Sequence, residues 1–319
     1  MNSQAKPHAF IRSLAQQVAD LEPDFPSPED FQELGIQTFE VSLNPDKTEL
    51  KFDPCFFQPH PENVVEKYPL HPEVDQEYRH NHLMIPHIRT IQDFINADPK
   101  RYPPELAPIP KNLTIWDRSL YEMENDAYGQ AEDIAHVIDG HLSALRQGPS
   151  DYYTLQHLRN QGPWSPRHRA GDPPTMEVFG ASRKAWRVEH HHRYVDRPLK
   201  PHSIMSCVAQ IRPTDTNRGL TTHELRAIVN TLLLRVNHQP FRRCRVHPIL
   251  VLSCLGDHQG RIIQASYDGK GLVLQYSQLW NFEDPENAPV ELFVRYRLSE
   301  PIGGTYKLSL RQQYVLQPR

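Results

Sequence analysis

No part of this sequence runs to the roughly eighteen consecutive apolar residues that a membrane-spanning helix requires, which excludes a single-span or multi-span helical membrane protein. Cysteine is sparse and scattered. Cys55, Cys207, Cys244 and Cys254 form no CxxC pair, so neither a disulfide framework nor a structural zinc ribbon organises the chain. Glycine is scarce, 14 in 319 residues, and no glycine completes GxGxxG, GxxxxGK[ST] or GxSxG. HExxH is absent as well, and the GGTY near residue 305 follows an extended stretch but opens no helix, so no phosphate loop is present. A Ser–His–Asp triad leaves no local signature, and nothing points to one. The opening MNSQAKPHAFIRSLAQQVADLEPD lacks a secretory apolar stretch, and Asp20 and Glu22 do not suit a transit peptide. An intracellular protein, cytoplasmic or nuclear, is expected. The sequon at Asn112-Leu113-Thr114 is then silent.

Charge is abundant and unevenly placed. Residues 1–150 hold 12 Lys+Arg against 25 Asp+Glu, and residues 151–319 hold 23 against 14, 19 of the 23 being arginine. The formal total of −4 conceals this split. Such asymmetry has two readings: a basic face that meets a polyanion, or two segments that neutralise one another. Proline is also abundant, at 30 residues, and predicts stiff, irregular connections rather than Gly/Ser linkers. Three regions follow: an acidic, proline-rich helical and irregular region over 1–150, a linker-like stretch over 151–184, and a basic α+β domain over 185–319.

Periodicity places the elements. Phe10, Leu14, Val18 and Leu21 mark one side of an amphipathic helix. Residues 22–112 read as short extended pieces, such as 49–52 and 55–57, with a helix around 85–97 and an extended connector over 103–110. A helix is expected over 114–147, capped by Thr114 and ended by Gly148-Pro149. Its apolar stripe is Ile134, Val137, Ile138, Leu142 and Leu145; Gly140 weakens its interior, and Gly129 is a candidate break into two helices. Strands are expected over 186–195 and 203–211. A helix capped by Thr221 or Thr222 then runs to Val236, with Leu225, Ile228, Val229, Leu232 and Leu233 facing a core. Residues 248–254 are apolar on both faces, as in a central strand. Residues 261–267 and 272–277 alternate around Asp268-Gly269, a type I′ hairpin signal, and 290–298 reads as a last strand. The fold class is α+β, a β-rich C-terminal domain with one core helix and the N-terminal region packed on it.

Several residue groups could carry chemistry. Alternation in the 186–195 strand puts Glu189 and His191 on one face and His190 and His192 on the other. Two imidazoles or an imidazole and a carboxylate could chelate a divalent metal, with Asp196 or His202 as a further ligand. Glu132, His136 and Asp139 share a helical face, while His141 points elsewhere. His80, His82 and His87 cluster in EYRHNHLMIPH. The bland reading of each is a polar surface in a histidine-rich chain, because no group shows a complete ligand set. Arginines gather as Arg235, Arg242, Arg243 and Arg245, and again as Arg183, Lys184, Arg187, Arg193, Arg197 and Lys200. With Trp186, Tyr194 and Phe241 interleaved, they suit phosphate contact and base stacking. Neutralisation by the acidic half accounts for the same pattern without a nucleic acid.

Two resemblances complete the reading. The span RYVDRPLKPHSIMSCVAQIRP, with the helix and strand after it, resembles in layout the PD-(D/E)XK nuclease superfamily. That resemblance implies a metal-dependent phosphodiesterase core with Asp196 at the first acidic position and Gln210 and Arg212 where the superfamily has its Glu and Lys. Neutral Gln210 is a poor substitute for an anionic metal ligand and Arg212 for a lysine, so the implied site is degenerate. Residues 247–282 and the VELFVRYRLSEPIGGTY segment are similar to the C-terminal region of uncharacterised proteins of filamentous fungi. This implies a lineage, and as a setting the specialised-metabolite pathways beside which some such proteins are encoded. The leading expectation is a soluble accessory or interaction protein with a protein partner and no cofactor. A nuclease-like enzyme and a non-catalytic nucleic-acid-binding module are the alternatives.

Overall fold

The computed structural model describes residues 6–84, 127–160, 164–165, 186–194, 200–238, 241, 244–283 and 287–305. The expected 85–97 helix and 103–110 connector lie outside them. The fold is α+β, built on a mixed sheet with helices on both faces.

His247–Leu255 (β6) is the sheet's centre, and every residue in it is buried. Antiparallel β7 (Gln259–Tyr267) lies on one side of it and parallel β5 (Ser203–Ala209) on the other. A parallel pair needs a crossover, which helix α7 (Thr222–Asn237) supplies between β5 and β6. Beyond β7 come β8 (Leu272–Ser277) and, at the edge, β1 (Ile36–Val41). On the far side stand β4 (Trp186–Tyr194) and β3 (Trp164–Ser165). β9 (Trp280–Asn281) pairs with the end of β7. A separate small sheet joins β2 (Phe57–Gln58) to β10 (Glu300–Pro301).

The period-two rule of strands sorts the core into two layers. Ile249 and Val251 of β6, with Met205 and Cys207 of β5, face α7 and the helices α1 (Lys6–Ala19) and α2 (Pro28–Glu33). Leu250, Leu252 and Cys254, with Ile204 and Val208, face α5 (Ala127–Ser143) and α8 (Val290–Arg297). The short helices α3 (Val64–Lys67), α4 (Gln76–His82) and α6 (Leu155–Asn160) border that second layer. At about 1.5–3 kcal/mol for each fully buried aliphatic or aromatic side chain, these two layers are the main source of stability.

Three expectations change. The expected 290–298 strand is instead helix α8, Val290–Arg297. Phe293 sits edge-on to Phe282 at 4.9 Å, and Leu292 through Arg297 are all buried, so all-round burial overrides a β-prone composition. The β7–β8 connection is not a two-residue I′ turn, because Tyr267 pairs with Leu272 across four residues. Gly269 alone there has a left-handed φ, 88°. The Asp268 carboxylate shapes the loop by accepting from the N–H of Lys270 at 2.9 Å and Gly271 at 3.1 Å. Strict alternation over Glu189–His192 also fails. A bulge between Val188 and His191 sets these two residues opposite Cys207 and Met205, positions on one face of β5.

The arginines explain how the proline-rich stretches are held. Segments without regular structure leave carbonyls that still need donors. Buried Arg295 gives Nε–H to the His60 carbonyl at 2.7 Å and Nη1–H to Thr48 at 2.8 Å. Buried Arg146 serves Tyr68 at 2.8 Å, and Arg235 serves His202 at 3.2 Å. Glutamines assist: Gln264 and Gln275 accept from the N–H groups of Phe56 and Asp53, each at 2.7 Å. Arg226 ties α1 to α7 by donating to Val18, Ala19 and Leu21 at 3.2, 3.1 and 2.8 Å. Arg295 and Arg226 thus join the two charge halves by guanidinium–carbonyl contacts. Arg226→Met should lower stability by about 1–2 kcal/mol. Amide exchange should accelerate along α1 while β6 and β7 stay protected, and unchanged protection of α1 would refute the tie.

Candidate functional site at the carboxyl ends of β5 and β6

In sheets with parallel strands, ligands favour the crevice beyond the strands' carboxyl ends. Here the chain leaving β5 (Gln210, Ile211, Arg212) meets the β6–β7 turn (Gly256, Asp257, His258). The Gly256 N–H donates to the Ile211 carbonyl at 2.8 Å. A Cβ on Gly256 would meet the Ala127 side chain at 2.7 Å, so only glycine lets the turn lie this close to α5. Asp257 and His258 both take left-handed backbone, at φ 54° and 47°. Asp and His tolerate that region better than most residues, but two in succession store strain that the surroundings must hold.

The surroundings do so through charge. Gln130 of α5 accepts from the Asp257 N–H at 2.9 Å. Arg212 Nε lies 3.1 Å from Asp257 Oδ1, both side chains about half exposed. His258 is buried, with Nε2 3.1 Å from Asp133 Oδ2 and Nδ1 3.3 Å from Glu283 Oε1. Burial alone would lower its pKa, yet hydrogen bonding and charge from Asp133 and Glu283 raise it above 6.5. The two carboxylates thus favour the imidazolium form, in which both ring N–H groups are donated. Each ring nitrogen faces a carboxylate oxygen, so neither is directed at open space where it could take a proton, attack a carbonyl or bind a metal. What this arrangement does is lock the β6–β7 turn to α5 and to the segment after β9.

The residues singled out in the sequence scatter around this cluster. Gln210 and Arg212 are exposed at its rim, and Asp196 lies outside the described residues. Arg187, His191 and Arg193 are placed by backbone register alone, Glu189 falls within the bulge of β4, and Arg242 and Arg243 lie outside the described residues. Arg245 is exposed, with its N–H donating to Thr305 at 2.6 Å. His202 is buried against Phe57 at 5.3 Å and bonds through Nε2 to the Ile302 carbonyl at 3.0 Å. Burial, with Lys200 and Arg235 nearby, pulls its pKa down to about 3, so it is a neutral core group. His82 and His136, from two separate sequence clusters, do meet, with Nδ1 and Nε2 2.9 Å apart. Gly140 makes this contact possible, since a side chain there would collide with the His82 backbone. Among the described residues no three His, Cys, Asp or Glu side chains converge to hold a metal ion. Nor is any described helix long and apolar enough to cross a membrane.

A second feature is the free edge of the sheet. β1 pairs with β8 along one side only, among the described strands. Its residues, IQTFEV, include neither the lysine nor the proline that guards many edge strands. Phe39 is 52% exposed in the middle of that edge, flanked by exposed Gln37 and Glu40. No family model matches this chain, and neither a curated protein nor a solved structure matches it.

Proposed function

We propose that this protein is a non-catalytic interaction protein that receives an extended segment of a protein partner along β1. The observation that carries the reading is Phe39. An unguarded edge strand offers main-chain donors and acceptors, and an exposed aromatic at its middle gives an arriving strand an apolar anchor. The polar cluster at the other end of the sheet supports a binding role rather than a chemical one, because its histidine has both nitrogens committed to carboxylates. The buried guanidinium groups of Arg146, Arg235, Arg261, Arg295 and Arg297 are likewise withdrawn from phosphate contact.

A library of displayed peptides panned on the purified protein tests the reading. Binders should alternate apolar and polar residues, and Phe39→Lys should weaken them by about tenfold or more without changing thermal stability. Enrichment of no sequence class, or equal binding to the Phe39→Lys variant, would remove β1 as the site.

A further inference from the structure

Between α5, α8, α3 and the chain leaving α4 lies a cavity of about 320 Å³. Val65, Leu83, Met84, Val137, Phe282, Ala288 and Val290 form its apolar wall. It is far larger than the roughly 150 Å³ that admits a benzene ring, and it falls at the lower end of the range of small-molecule sites. The frame around it is firm: Phe293 of α8 stacks edge-on against Phe282, and α4 closes onto Gly140 of α5.

The two polar side chains among its described lining residues have different roles. His141 lies one helical turn beyond Val137, and burial with the Arg146 charge takes its pKa down to about 4. Nε2–H is directed to the Leu83 carbonyl at 3.3 Å, and Nδ1 faces Arg146 Nη2 at 3.5 Å. His141 therefore adds a neutral wall with its nitrogens already used. Glu291, exposed in the first turn of α8, is the one charged side chain among the described residues of the lining. Met84, 39% exposed, adds a flexible thioether that adapts to the shape of an occupant.

We propose that this cavity binds a small amphipathic amine, its aromatic or alkyl body among Val65, Val137, Phe282 and Val290 and its ammonium group at the Glu291 carboxylate. The apolar wall supplies affinity and the Glu291 carboxylate selects the sign of the head group. This site is separate from the β1 edge and does not depend on it.

Three probes with one body and different heads decide the matter: phenethylamine, phenethyl alcohol and phenylacetate. The five methionines of the chain give a sparse methyl NMR spectrum, in which the Met84 signal reports occupancy. The amine should shift that signal saturably, the alcohol more weakly and the carboxylate least. Glu291→Gln should lower amine affinity by about three- to fivefold, as for an exposed ion pair, and leave the alcohol unchanged. Ala288→Phe should fill the mouth and abolish binding of all three. Should that variant unfold, Glu291→Gln, a surface change, still decides the question. The proposal is overturned by no saturable Met84 shift with any probe, by equal binding of amine and carboxylate, or by amine binding that ignores Glu291→Gln.

Discussion

Arg261→Met should destabilise the protein by about 3–5 kcal/mol, the cost of leaving a buried carboxylate without its partner. Arg261 of β7 and Glu224 of α7 are both wholly buried, with Nε 3.0 Å from Oε1. The Nε–H does not lie on the Oε1 line as a hydrogen bond would, so the contact is an ion pair. The remaining groups are well used. Arg261 donates Nη1–H to Arg218 and Nη2–H to Gly219 at 3.0 and 2.8 Å. Glu224 Oε2 accepts from the Thr221 N–H at 2.7 Å, closing the capping box of α7. One pair of side chains thus fixes the loop into α7, the start of that helix and its seat on the sheet. Glu224→Gln should cost a comparable amount, because it strands a buried guanidinium. The double variant should lose much less than the sum, since neither residue is then left charged and alone. Urea unfolding of the four proteins measures this directly. Additive losses, or a single-variant loss below about 1 kcal/mol, would show that the pair contributes little.

How much of this was legible in the chain differs by element. Helix α7 reads almost completely, from a threonine cap, which is Thr221, and from Leu225, Ile228, Val229, Leu232 and Leu233 at helical spacing. The first four are buried, and Leu233 is half-buried against the same core. β6 reads equally well, since a strand covered on both faces is apolar throughout. The stripe of α5 holds from Ile134 to Leu142, although the helix stops at Ser143, short of Gly148. β1 is harder to see. IQTFEV has a buried residue only at Ile36, and its pairing with β8 joins residues more than 230 positions apart. α8 misleads because Val, Phe and Tyr favour strands, while Arg295 and Arg297 become buried only once the whole molecule is assembled.

Charge and chemistry were less legible still. The arginine surplus does not announce that guanidinium groups serve loop carbonyls, because carbonyls carry no letter in a sequence. The proline count is the nearest hint: irregular backbone must find its donors somewhere. Asp133, His258 and Glu283 are over a hundred and then twenty-five positions apart, and no local pattern joins them. The turn in LGDHQG is the one visible trace, a tight connection between two apolar strands. By contrast, the histidine clusters that did stand out proved informative only in part. His82 and His136 meet because α4 closes on Gly140, a residue that in the sequence reads merely as a weak point in a helix.

The His258 lock gives the fold a pH dependence of definite sign. Its folded pKa stands above 6.5, so its contribution is fully present below about that pH and is lost as pH rises through the folded value. The groups facing the ring are Asp133 of α5 and Glu283 after β9, with the Arg212–Asp257 pair beside it. Asp133 and Glu283 are 32% and 45% exposed, so water screens part of the attraction, and the worth of the lock is about 1–2 kcal/mol rather than that of a dry ion pair. At pH 6, His258→Gln should therefore lower stability by that amount, and the gap to the native protein should narrow steadily on the alkaline side. Asp133→Asn should bring the loss to completion at lower pH, because one of the two charges that raise the folded pKa is gone. Denaturant unfolding from pH 5.5 to 9 reads both effects. A gap that stays constant with pH would mean that His258 holds the turn by shape and not by charge. The strained backbone at Asp257 and His258 would then be held by Gln130 and the glycine contact alone.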